Sequence, residues 1–99
     1  MSFTDYLEQF LSDVLQQKED LFTNEIRLSK TYSNMHGNIT ALNEDEKELL
    51  TLHKEFLDVH FFLKTKQYRD DINLANEKIA LIKNLFKEIS ELVEKIEWK

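Results

Sequence analysis

The sequence predicts an all-α protein: three long helices in an elongated antiparallel bundle or coiled-coil hairpin. Three observations carry this expectation. The chain of 99 residues has no proline and one glycine, Gly37, so it lacks the residues that usually make sharp reversals. Its apolar residues recur at steps of three, four and seven, the helical period rather than the strand period of two. Helix-start signals stand ahead of the periodic runs.

Helix one is predicted over about 3–35. Its apolar set is Phe3, Tyr6, Leu7, Phe10, Leu11, Val14, Leu15, Leu21, Phe22, Ile26, Leu28, Tyr32 and Met35. Ser2 is placed to cap it, and Asp5 puts a negative charge in the first turn, where the helix dipole favours one. Around Gly37, flanked closely by Asn34 and Asn38, the sequence predicts a C-cap and a turn over 36–42, because glycine and asparagine tolerate left-handed backbone. Asn38-Ile39-Thr40 matches a glycosylation pattern, but with no secretory leader in view it is read as plain turn.

Helix two is predicted over about 43–68. Asn43 and Glu46 have the spacing of a capping box, with Glu44 and Asp45 beside them. Helix three, over about 71–98, has the most regular pattern: Ile72, Ala75, Ile79, Ile82, Phe86, Ile89, Val93 and Ile96 form an unbroken heptad seam. The polar stretch from Lys64 to Asp71 predicts a tight turn, with Asp70 or Asp71 capping helix three. It contains no glycine or proline, so a merged rod of about 80 Å, at ~1.5 Å per residue, is the alternative. Residues 1–99 read as a single helical domain.

Composition narrows the function. The net charge is −6, from 19 acids and 13 bases, and the acidic excess is spread along the chain. That disfavours nucleic acid and anionic membrane surfaces as partners. No stretch approaches the ~20 apolar residues of a membrane span. The absence of cysteine removes disulfides, zinc–thiolate sites and thiol nucleophiles. With no basic, apolar leader at Met1–Asp5, a cytoplasmic protein is expected.

Catalytic patterns do not emerge. Ser2, Ser12, Ser29, Ser33 and Ser90 stand in no elbow or triad context, and one glycine cannot build a phosphate loop. The acidic pairs Glu19-Asp20 and Asp70-Asp71 and the triplet Glu44-Asp45-Glu46 read as caps and solvated faces. His53 and His60 both fall in the apolar arc of helix two. They are two turns apart, about 10.5 Å at ~1.5 Å rise, so one metal ion cannot take both. They read as core or boundary histidines with some capacity to sense pH. His36 is expected to be exposed in the turn. The expectation is a non-catalytic protein without cofactor, metal or small-molecule substrate.

The apolar arcs are wider than the ~100° stripe of an ordinary surface helix. Leu74, Leu81, Leu85 and Leu92 flank the seam of helix three; Leu50, Leu57 and Phe61 broaden helix two; Phe62 and Trp98 lie off their stripes. The expected function is a protein–protein interaction subunit that assembles with itself or a partner through its heptad seams. The candidate interface residues are Phe56, Phe61, Phe62, Ile79, Ile82, Phe86, Ile89, Val93 and Ile96, of which the helix-three seam serves equally well as internal core. Two alternatives are an export or assembly chaperone that shields a client helix, and an acidic inhibitor or immunity-type protein.

Overall fold

The computed structural model describes residues 2–26, 30–37 and 42–98, with the side chains of Asn24, Glu25, Lys30, Ser33, Asn34 and His36 excepted. Among these residues there are four helices: α1 (Phe3–Glu25), α2 (Lys30–Gly37), α3 (Glu44–Lys64) and α4 (Ile72–Lys95). Among the described residues there is no strand. The molecule is an all-α bundle of 44 × 24 × 20 Å.

The helix starts follow the residues that announce them. Ser2 Oγ accepts from the Asp5 amide at 3.1 Å. Asn43 and Glu46 close a reciprocal capping box, with Oδ1 of Asn43 accepting from the Glu46 amide at 2.9 Å and Oε1 of Glu46 from the Asn43 amide at 3.2 Å. Asp71 caps α4 by accepting from the Leu74 amide at 3.0 Å. Each cap satisfies a backbone donor that the first turn leaves open.

Helix one is not continuous over 3–35. α1 closes at Ile26, whose amide still donates to the Phe22 carbonyl, and helix resumes at Lys30. The physical reason is length. A straight helix of 33 residues would run about 50 Å at ~1.5 Å per residue, longer than the 44 Å long axis of the molecule. Ile26 and Met35 are both buried in the core, and α2 packs onto α3. α2 runs through His36 to Gly37, and Gly37 has no positive φ. The predicted turn thus begins later than residue 36, and its residues 38–41, including the Asn38-Ile39-Thr40 pattern, lie outside the described ones.

α3 and α4 are separate helices, so the rod does not form. α3 ends at Lys64 rather than 68, and seven residues lead to α4. The reversal uses two left-handed residues that are not glycine, Lys66 at φ 57° and Arg69 at φ 56°. Tyr68 between them is buried and meets the Phe3 ring edge-on at 6.2 Å, tying the turn to the start of α1. α4 ends at Lys95, with Ile96 already extended. Beyond it the Trp98 indole N–H returns to donate to the Val93 carbonyl at 2.8 Å.

The core lies along the closely packed α3–α4 hairpin, with α1 laid across it. α3 contributes Leu49, Leu52, Phe56, Val59 and Leu63; α4 contributes Ala75, Ile79, Ile82, Leu85, Ile89, Leu92 and Val93. α1 adds Leu7, Leu11, Val14 and Phe22. No helix among the described residues is long and apolar enough to cross a membrane.

Candidate functional site: the outer seam of α3 and the α1–α3 groove

Six of the nine candidate interface residues lie inside this chain: Phe56, Ile79, Ile82, Ile89, Val93 and Ile96 are all buried. They hold α4 to α3 and α1, so a partner approaching the folded molecule does not meet them. Phe86 is half-buried at the α1–α4 boundary. Phe62 is half-buried on α3 with the Lys78 ammonium 5.4 Å from its ring centre, so α4 covers part of it. Phe61 is the outlier, 60 % exposed, and Leu57 one turn earlier is 42 % exposed.

These two belong to a second seam. On α3, Lys47, Leu50, Lys54, Leu57, Phe61 and Lys64 step by 3, 4, 3, 4 and 3, which places them on one arc of about 100° at ~3.6 residues per turn. The inner seam of Leu49, Leu52, Phe56, Val59 and Leu63 has the same 3–4 rhythm on an arc centred about 150° away, with His53 and His60 between the two. α3 is therefore two-faced: one seam faces the hairpin core and the other faces solvent. All three lysines of α3 fall on the outer seam. Of its acids, Glu48, Glu55 and Asp58 fall outside that arc, and Glu46 of the first turn falls within it. The spacing of Lys47, Lys54 and Lys64 is visible in the sequence, and reading apolar periodicity alone passes over it.

Beside the outer seam runs a groove of about 440 Å³ between α1 and α3. Leu7, Leu11, Leu15 and Leu63 make it apolar, and His60, Lys64 and Lys66 stand along its α3 side. A smaller groove of about 260 Å³ separates α1 from α4, with Lys83 lying 5.4 Å from the Phe10 ring centre. α1 thus has an open channel on each side.

The α1–α3 contact itself contains basic groups among its leucines. His60 is buried, and its Nε2 lies 3.3 Å from the Leu11 carbonyl of α1; a carbonyl can only accept, so Nε2–H donates. Burial lowers the His60 pKa from 6.5, nearby Lys64 and Lys18 lower it further, and the bond to Leu11 opposes them. His53 packs against the Phe22 ring, centroids 4.8 Å apart. Lys18 is only 4 % exposed; its ammonium pairs with Glu19 at 2.6 Å and lies 5.4 Å from the Phe22 ring centre. A buried ammonium is tolerable when an anion and an aromatic face replace its water. Sequence reading found the two histidines; it did not find Lys18, whose apolar-face position in α1 was hidden by its charge.

Chemically the site offers apolar contact, hydrogen bonding and positive charge. Among the described residues no three His, Asp or Glu side chains gather as metal ligands would. No protein-family model, curated protein or solved structure matches the chain.

Proposed function

We propose that this protein is a non-catalytic interaction subunit of the cytoplasm that binds a helix of another protein along the outer seam of α3. One observation carries the reading: Leu57 and Phe61 are exposed in line with Leu50, at heptad spacing, next to an apolar groove. A helix docking into such a surface is held by apolar anchors along one of its faces, and Leu50, Leu57 and Phe61 stand at i, i+7 and i+11 along one face of α3 to meet them. Exposed apolar residues arranged contiguously are characteristic of interaction sites, whereas scattered ones need no explanation.

The test is a titration of the full chain with a labelled amphipathic peptide helix, leucine at heptad positions and glutamine on its flanks, read by fluorescence anisotropy. Saturable binding that weakens about tenfold or more in Leu57→Ser/Phe61→Ser is expected, the scale of losing two central anchors. Absence of binding, or binding that ignores both substitutions, refutes the reading. Both residues are substantially exposed, so the fold should survive their replacement, and circular dichroism checks that it does.

A further inference from the structure

We infer that the helix recognised by the outer seam of α3 is acidic. This inference rests on the helix-binding reading above and adds the charge of the partner. Lys47, Lys54 and Lys64 alternate with Leu50, Leu57 and Phe61 along the seam. All three lysines are exposed. Lys47 has a long contact of 3.9 Å with Glu44, and among the described residues neither Lys54 nor Lys64 forms an ion pair. Lys64 and Lys66 also line the α1–α3 groove, against one acid there, Glu8 of α1.

The placement runs against the rest of the molecule. In a chain of net charge −6, this face of α3 carries three lysines against one acid, Glu46, whose Oε1 is engaged by the Asn43 amide in the capping box. Charges that flank an apolar seam select the partner and its orientation, as flanking residues do in coiled coils. A helix with leucines at heptad positions and glutamates beside them would set its carboxylates against these ammonium groups while its leucines cover Leu57 and Phe61.

A second copy of the chain is a poor occupant. Two α3 seams paired across a twofold axis would gather three lysines from each copy at one interface, against one carboxylate from each, Glu46 in its capping box. Like charges brought together in this way count against self-pairing. An anionic membrane is a poor occupant too, since three lysines must offset the repulsion from a net negative protein.

The experiment compares three labelled peptides that share one leucine face and differ only in flanking glutamate, glutamine or lysine. The glutamate peptide should bind about tenfold tighter than the glutamine one at roughly 50 mM salt, with the lysine peptide weakest and the gaps closing as salt rises. In the variant Lys47→Glu/Lys54→Glu/Lys64→Glu the order should invert; Lys54→Glu alone should narrow it if the triple variant folds poorly. Equal affinity for all three peptides overturns the acidic partner and leaves the helix-binding reading intact. No binding of any peptide removes both. Binding to phosphatidylglycerol–phosphatidylcholine vesicles that depends on the three lysines overturns the inference in favour of a membrane. A dimer mass by light scattering that Phe61→Ser abolishes overturns it in favour of self-association.

Discussion

Lys66 and Arg69 hold left-handed backbone at the hairpin turn, with φ of 57° and 56°. For a residue with a Cβ that conformation costs roughly 1–2 kcal/mol. Both side chains are exposed, so removing either sacrifices little packing. Lys66→Gly should therefore stabilise the protein by about 0.5–1 kcal/mol, after allowing for the greater freedom of glycine in the unfolded chain. Urea denaturation of the two proteins checks this, and a destabilised Lys66→Gly protein would mean that the lysine side chain holds the turn. The contrast with Gly37 is instructive. The residue best suited to a left-handed turn lies at the end of α2 without using that freedom, while a lysine and an arginine adopt it on either side of Tyr68, which is buried against Phe3.

At the level of elements, the joint between α1 and α3 is the chemically distinctive one. It interleaves leucines with Lys18, His53 and His60, and the His60 ring bridges to the Leu11 carbonyl. The pKa of His60 is lowered from 6.5, chiefly by burial, so between that value and its folded value the unfolded chain binds the proton more readily than the folded one. Stability from this group is complete above pH 6.5 and declines as the pH falls toward the folded pKa. His60→Gln, which keeps an N–H donor for Leu11, should flatten the decline between about pH 7 and 5. Chemical denaturation at stepped pH measures the slope; an identical slope in both proteins would place the acid sensitivity elsewhere.

Much at this scale was legible beforehand. Ser2, the Asn43–Glu46 box and Asp71 mark helix starts, because a cap is a local event between residues three apart. The break after Ile26 was not legible, since Leu21, Phe22, Ile26 and Tyr32 keep a helical rhythm through it, and only the 44 Å long axis of the molecule makes a straight helix too long. Nor could periodicity say whether Ile79, Ile82 and Ile89 meet their own chain or another one, as both require the same spacing. The outer seam of α3 was half visible: Leu50, Leu57 and Phe61 stood out, whereas the lysines between them looked like an ordinary solvated face.

The whole molecule is a tight hairpin carrying a looser third helix. Its Cα radius of gyration of 15.0 Å exceeds the ~13 Å typical of a compact chain of this length. Grooves on both sides of α1 reduce the surface it shares with α3 and α4. Native-state hydrogen exchange should accordingly find α1 amides opening at lower free energy than those of α3 and α4, with the difference growing as the pH falls below 6.5, where His60 in the opened state binds a proton more readily than in the closed one. Uniform protection across the helices would show that the bundle opens as one unit.

The seven-residue connection between α3 and α4 also bears on how the chain reaches this state. A short loop costs little entropy to close, and contacts between helices adjacent in sequence favour fast folding. The hairpin should collapse early, leaving α1 to dock onto a surface already assembled. With no proline in the chain, no slow peptide isomerisation delays either step.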